Sequence, residues 1–466
     1  MKLTATNKKL EEIGKKYTRL ELVSGKNKPT ALLIGANAIS VLQFSAANIK
    51  KMDERKFRTT LRSIVLAAKT HKIKRLALGI SPGDFPSLKE YGERWFWQTV
   101  AENFLLAEYS FTKYKSNNEN TNVREILLSG VEDKSAKKAL LKGETVAKAM
   151  NLTRDIANTP ALDMTPSILA TLTKKTFSNS RVKVEVLGED KLRKLNAGLI
   201  LAVGQGTTEE SKLIVMTYNG GKKNTRPLVL IGKGITYDTG GLNVKPTGAM
   251  HDMHMDMSGG AAVLGAMKAI SDLKLEKNVI GIIPAAENAV SDSSMRAGDI
   301  VTSMSGKTVE ILHTDAEGRL VLADALTYSG KFKPHTIIDV ATLTGASLVA
   351  LGQHASAIMT KNNDLEAKLR TLGEKTGDLV WPLPLWNEYK QYLKSARADI
   401  SNIATNFSRF GGTIEGGVFL SHFVPKGVKW AHIDMAPRMD SVASDKLAKG
   451  ATGEPVRLLV KIAEEI

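Results

Sequence analysis

Three short segments constrain this chain more than anything else in it: KGITYDTGGLNVKP (Lys233–Pro246), MHMDMSGGAAVLG (Met253–Gly265) and HTDAEGRL (His313–Leu320). Each is rich in glycine and carboxylates, and each falls where a strand is expected to hand over to a loop or helix. Together they carry four acids, Asp238, Asp256, Asp315 and Glu317, and three cations, Lys233, Lys245 and Arg319. Four carboxylates gathered in one place repel one another, and burial raises the cost. A pair of divalent cations resolves that conflict, because carboxylate oxygens are good ligands for such ions. The pattern therefore predicts a two-metal hydrolytic site. Taken singly the acids say less. Asp256, just before a Gly/Ala-rich run, also reads as a helix-start acid favoured by the dipole, and a lone D-x-E reads as a solvated turn.

The segments sit in an α/β frame. Val182–Leu187, Leu199–Val203, Lys212–Tyr218, Pro227–Gly232, Val279–Ala285, Thr336–Val340, Ser356–Thr360 and Lys429–Met435 are predicted strands. Helices are expected over 258–273, 318–330, 363–376 and 414–424. This alternation implies a mainly parallel sheet flanked by helices, with a site beyond the strand C-termini. Upstream, Thr18–Val23 is expected as an edge strand, and Ala31–Ile34, Ser40–Phe44, Arg75–Gly79 and Arg124–Ser129 as further strands. Glu54–Lys69 and Tyr91–Tyr109 read as amphipathic helices and Lys113–Asn122 as a polar loop. That is a second α/β module. A long helical pattern, Ser135–Ile156, joins the two and is stopped at Asn158-Thr-Pro160. Two domains follow, 1–155 and 156–466, in keeping with a length too great for one ordinary core.

Composition narrows the chemistry. The chain has no cysteine, which excludes disulfides and thiolate metal sites and suits a reducing cytoplasm. The N-terminal residues lack the apolar core of a signal peptide, and no run of eighteen apolar residues predicts a membrane span. No HExxH is present, which argues against a single-zinc protease of that class, and GKG at Gly232–Gly234 lacks phosphate-loop spacing. Of the net charge of +17, +13 lies in residues 1–150, where 28 Lys and Arg stand against 15 Asp and Glu. Such a region reads as a solvated basic surface or as a steering field for nucleic acid.

The HTDAEGRL segment and Lys233–Gly241 resemble the signature segments of the leucyl aminopeptidase (cytosol aminopeptidase) family of dinuclear metallopeptidases. The similarity is strong from about Asn151 onward and weak before it. The resemblance implies a macro-domain-like N-terminal module and a cytoplasmic homohexamer. It implies removal of N-terminal residues, preferably leucine or similar apolar ones, from peptides with a free N-terminus. By the same resemblance Asp238 and Glu317 bridge two metal ions, Asp315 holds one, and Asp256 with the neutral amine of Lys233 holds the other. Mn²⁺ or Zn²⁺ is expected, and Mg²⁺ and Co²⁺ also suit such O/N donors. Lys245 is implied to polarise the scissile carbonyl, and Arg319 to anchor a bicarbonate acting as general base. Met253, Thr342, Gly345, Ala436 and Met439 align with positions around the substrate's first side chain. Some members also bind DNA, so the basic N-terminal region leaves DNA open as a second partner. No membrane partner is expected.

Two residues depart from the family pattern. His313 stands where the family typically has Asn, and is expected to support the ligands through a hydrogen bond instead of binding metal. Glu415 stands in Gly411–Gly417, a segment usually made of small residues, and the sequence offers no account of it.

Overall fold

A computed structural model describes residues 1–25, 30–36, 39–116, 122–406 and 410–466. The chain forms two compact units. One comprises Met1–Asn151 and Ser441–Lys449, the other Leu152–Asp440 and Gly450–Ile466.

The first unit holds six strands: β1 (Lys2–Ala5), β2 (Thr18–Gly25), β3 (Thr30–Ala36), β4 (Ile39–Ala47), β5 (Arg75–Leu78) and β6 (Glu125–Leu128). Their order is β1-β6-β5-β2-β4-β3, parallel throughout except for β3 against β4. β2 is therefore an interior strand, not the predicted edge. Its polar positions reflect a partly covered face, while its backbone is paired on both sides. The helix Glu54–Thr70 starts at Asp53, whose carboxylate accepts the Lys56 N–H at 2.7 Å, and buries Phe57, Leu61, Ile64 and Val65 at the spacing the sequence shows. It packs on the helix Gly92–Glu108, with the Phe57 and Phe96 rings stacked 5.1 Å apart. Of the predicted loop Lys113–Asn122, residues 117–121 lie outside the described residues. Arg62 donates to the Asp445 carbonyl at 2.7 Å, which ties Ser441–Lys449 to this unit.

The second unit is built on a nine-stranded sheet: β7 (Val182–Leu187), β8 (Lys212–Asn219), β9 (Leu228–Gly232), β10 (Gly234–Asp238), β11 (Asn278–Asn288), β14 (Thr336–Ala341), β15 (Ser356–Thr360), β16 (Val380–Pro382) and β18 (Lys429–Asp434). A separate three-stranded sheet joins β12 (Ile300–Thr302), β13 (Thr308–Glu310) and β17 (Ile400–Ser401). The large sheet runs β16-β15-β18-β14-β9-β11-β8-β7, with β10 paired to β11. Its centre, β18-β14-β9-β11, is parallel, and antiparallel β8 and β7 close one side. The architecture is α/β, with a mainly parallel sheet in the second unit as expected.

The central strands are buried on both faces, so they read as continuous apolar runs. The helix Ser258–Asp272 covers one face and begins at a close approach. A Cβ on Gly259 would lie 2.2 Å from the Val340 carbonyl oxygen, so only glycine fits there. One expectation fails. Leu199–Val203 is not a strand but lies within the helix Gly198–Gly204. A five-residue apolar run has no decisive period. The decision is made by Asp324, whose buried carboxylate accepts the N–H groups of Leu199 (2.9 Å) and Ile200 (3.1 Å) and so completes the helix start.

Candidate metal centre

The parallel strands bring their C-terminal ends to one edge of the sheet. Lys233 follows β9, Asn288 ends β11, Thr342 follows β14, and Asp434 ends β18. β10 continues from β9 and pairs in parallel with β11, but its register shifts between Ile235 and Asp238. That irregularity sets Asp238 opposite Asn288. Asp256 closes the turn Met253–Met255 ahead of the helix Ser258–Asp272. Glu317 occupies the N-cap of the helix Gly318–Ser329, and Asp315 precedes it in the loop.

These side chains converge. The Lys233 ammonium lies 2.7 Å from Asp256 Oδ2 and 2.9 Å from Glu317 Oε1, and donates to the Thr342 carbonyl at 3.0 Å. Lys245 Nζ lies 2.7 Å from Asp238 Oδ2 and 2.5 Å from Asp315 Oδ1. The second Asp238 oxygen accepts from the Gly240 N–H (2.9 Å) and Asn288 Nδ2 (2.8 Å). Asp256 Oδ1 accepts from the Thr342 hydroxyl at 2.7 Å. Gly318 makes room for Lys233, since a Cβ there would lie 2.5 Å from the lysine Cε.

The electrostatics are unbalanced. Four carboxylates face two ammonium groups, an excess of two negative charges in a largely buried space. Burial, reinforced by Asp238, pushes the Glu317 carboxyl up to about 8. Burial likewise pushes Asp256 up to about 6 against the pull of Lys233, and raises Asp315. Burial alone would depress both lysines. The surrounding carboxylates outweigh it and hold Lys233 and Lys245 above the ordinary lysine value.

A cluster of this kind is a fit for divalent cations. Asp238, Asp315 and Glu317 each offer an oxygen within 4.8 Å of the others. Asp256 Oδ2, Asp315 Oδ1 and Glu317 Oε1 are buried, have no hydrogen bond, and face only a lysine ammonium. Hard oxygen donors with that unmet charge suit ions such as Mn²⁺, Zn²⁺ or Mg²⁺. A bicarbonate at Arg319 would meet a guanidinium whose charge is already matched by a buried carboxylate, with only Nη2 and Nε left to donate. Arg319 Nη1 donates both its protons, to the Asn402 carbonyl (2.6 Å) and to Glu415 Oε1 (2.9 Å), and the Glu415 carboxylate is itself buried.

The side chains aligned with a substrate pocket fall in three places. Met253 lies on the turn before Asp256, and Thr342 is buried against Asp256. Gly345 opens the helix Gly345–Leu351, which packs beside the turn Ala436–Arg438 that carries Ala436 and leads to Met439. Asp434 braces this wall by accepting from the Thr344 hydroxyl (2.7 Å) and the Leu343 N–H (3.1 Å). Sequence reasoning missed three asparagines that hold the loops. Asn288 links Asp238 to the Thr314 carbonyl (3.2 Å), and Asn243 Oδ1 accepts the Thr314 N–H (2.8 Å). Asn402 accepts the Leu312 N–H (2.8 Å) and donates to the His313 carbonyl (2.7 Å). A lone asparagine carries no local signal of such a role. His313 Nδ1 accepts the Asp315 N–H at 3.3 Å, which places its other ring nitrogen as the N–H.

Comparison with known proteins decides the family. The model of the cytosol aminopeptidase family catalytic domain matches residues 151–460. The chain belongs to the cytosol aminopeptidase family. It is 40% identical over 437 residues to a protein of Azoarcus sp. (strain BH72) named "Probable cytosol aminopeptidase", covering 92% of this chain and 85% of that one. A protein of the same name from Alkalilimnicola ehrlichii is 40% identical over 453 residues, covering 95% and 88%. Among solved structures, a mutant of tomato leucine aminopeptidase superposes with a TM-score of 0.89 at 26% identity, covering 100% of this chain and 97% of that one. The bottromycin maturation enzyme BotP in complex with Mn superposes with a TM-score of 0.84 at 29% identity, covering 99% and 98%. The protein is thus a metal-dependent aminopeptidase, a hydrolase acting on peptides.

Proposed function

We propose that the enzyme removes N-terminal leucine and similar apolar residues from peptides, using two divalent ions held by Lys233, Asp238, Asp256, Asp315 and Glu317. The carrying observation is the convergence of Asp238, Asp315 and Glu317 within 4.8 Å, beside Asp256, with only two ammonium groups to offset four carboxylates. Two ions bound there supply Lewis acidity toward a carbonyl and water of lowered pKa. On this reading Asp238 and Glu317 would be shared by the two ions, and Asp315 would hold one of them. Asp256 and Lys233 would hold the other, Lys233 as the neutral amine that a neighbouring bound cation would favour over the ammonium of the metal-free site.

The rest follows from the chain's own groups. The excess negative charge of the metal-free site attracts divalent cations. The Lys245 ammonium, beside Asp238 and Asp315, would polarise the scissile carbonyl and stabilise the developing oxyanion. Arg319, anchored to Asn402 and Glu415, holds the start of the helix that presents Glu317. Met253, Thr342, Gly345, Ala436 and Met439 would form the pocket, where small and soft apolar groups suit leucine or methionine. The manganese named with BotP and the all-oxygen carboxylate set support Mn²⁺, and Zn²⁺ suits the lysine nitrogen as well. A cytoplasmic homohexamer is the assembly the family resemblance supports. The names of the relatives and the lack of cysteine fit that compartment. Among the described residues no helix is long and apolar enough to cross a membrane.

The test is leucine release from Leu-amide or Leu-Gly by metal-stripped enzyme, with and without Mn²⁺ or Zn²⁺. Glu317→Ala and an N-acetylated substrate are run beside it. Cleavage restored by metal, and absent with the variant and the blocked amine, is expected. Cleavage that survives both chelation and Glu317→Ala refutes the two-metal reading.

A further inference from the structure

The Arg319–Glu415 pair is an unusual use of a buried arginine. Arg319 lies in the first turn of the helix whose N-cap is Glu317, and it is 6% exposed. Its Nη1 has no proton left, since one goes to the Asn402 carbonyl at 2.6 Å and one to Glu415 Oε1 at 2.9 Å. Glu415 is 5% exposed and lies 96 residues away, on the helix Gly412–Ser421. The helix is shaped to reach it. Gly411 begins the helix with φ +69, a conformation that favours glycine. Gly416 lets the helix pack closely here, because a Cβ there would lie 2.9 Å from Leu343 Cδ2. The Glu415 backbone N–H is satisfied by Gly411, leaving its carboxylate to the guanidinium.

We infer that Glu415 is a built-in counter-anion for Arg319. It is a positioning residue that takes the place of a diffusible carboxylate such as bicarbonate and makes this aminopeptidase independent of one. A buried guanidinium needs one negative partner, and this one has it covalently supplied. A second anion would sit against the buried Glu415 carboxylate and be repelled. The pair also fixes where the helix start lies, and with it Glu317. Through the Asn402 carbonyl it reaches the residue that clamps the backbone of Leu312 and His313. The inference rests on the aminopeptidase reading only for its kinetic arm.

Two measurements test it. The first uses wild-type, metal-loaded enzyme in CO₂-free buffer. Titrated bicarbonate is expected to leave kcat unchanged, and ¹³C-bicarbonate is expected to show no saturable binding by NMR. Saturable binding, or stimulation by bicarbonate, overturns the inference. The binding arm stands even if no peptide is cleaved, so it fails separately from the functional reading. The second uses Glu415→Ala, checked for fold by circular dichroism and thermal melting. It is expected to lose on the order of tenfold in kcat in CO₂-free buffer, to bind ¹³C-bicarbonate, and to recover activity with bicarbonate or formate but not with chloride. A folded Glu415→Ala that keeps full activity, or whose loss no carboxylate restores, overturns the positioning role.

Discussion

Two buried ion-pair systems in the catalytic unit follow opposite rules. Arg457 and Asp378 form a balanced pair: Nε donates to Asp378 Oδ1 at 2.8 Å, Nη2 lies 2.6 Å from the same oxygen, and the other oxygen accepts the Leu458 N–H at 3.0 Å. Charge matches charge, and the carboxylate also caps the start of the helix Val456–Glu465. The cluster around Lys233 and Lys245 is unbalanced, with four acids against two cations and three buried oxygens without a hydrogen bond. Selection for folding alone would favour the first arrangement and remove the second. A persistent excess of buried negative charge marks the place where a cation is meant to bind.

Neutralising one acid of the cluster should therefore improve the metal-free fold while destroying function. The Glu317 carboxyl is raised from 4.5 to about 8 by burial and by Asp238. Above its ordinary value but below the raised one, the folded state keeps a proton that the unfolded chain has lost. The stability from this group is full below pH 4.5 and is lost as pH rises toward 8. Metal-free wild type should be less stable at pH 8 than at pH 5. Glu317→Gln should remove much of that slope and gain on the order of 2 kcal/mol at pH 8. Its kcat/KM should fall by roughly a thousandfold or more. Urea unfolding at the two pH values, beside peptidase assays with added Mn²⁺, checks both halves. A variant less stable than wild type at pH 8 would break the contrast.

The balanced pair should behave in the reverse way. Arg457→Met leaves Asp378 buried beside an apolar side chain and should cost about 3 kcal/mol of stability. The kcat per folded molecule should stay at the wild-type value. Urea titration and an assay normalised to the folded fraction measure the two. Between these extremes lies Gly318→Ala. Alanine normally favours a helix by about 1 kcal/mol over glycine, but this Cβ would meet Lys233 Cε at 2.5 Å and Nζ at 2.7 Å. The lysine end can move, so the melting temperature should hold. Its pairing with Asp256 and Glu317 cannot survive the move, and activity should fall about tenfold.

The same contrast explains what was legible in the sequence. The cluster residues announced themselves because they lie in contiguous, glycine-rich turns that make poor core and poor surface. The α/β alternation was legible because the central strands, such as Leu228–Ile231, are buried on both faces and read as unbroken apolar runs. What escaped depended on distant partners. The helix Gly198–Gly204 is decided by Asp324, 125 positions from Leu199. Glu415 stood out as a departure, but its meaning lay in Arg319. Asn288 and Asn402 are isolated residues whose roles exist only once strands from different parts of the chain meet. The short strands β12, β13 and β17 are too brief to show a period.

His313 gives the finest division between scaffold and cluster. Its Nδ1 accepts the Asp315 N–H at 3.3 Å, a long bond that nevertheless orients the loop carrying Asp315 and Glu317. Any side chain with an acceptor at that reach should serve, so His313→Asn should change kcat/KM by no more than about threefold. His313→Leu keeps the bulk but has no acceptor, and leaves the Asp315 N–H unmet at a cost of about 1 kcal/mol. Its kcat/KM should fall by roughly five- to tenfold, with a matching loss of Mn²⁺ affinity in a metal titration. If the imidazole were itself a ligand, Asn and Leu would be equally damaging and both would weaken metal binding. Parallel Mn²⁺ titrations of the two variants therefore separate a hydrogen bond to the loop from a bond to the ion.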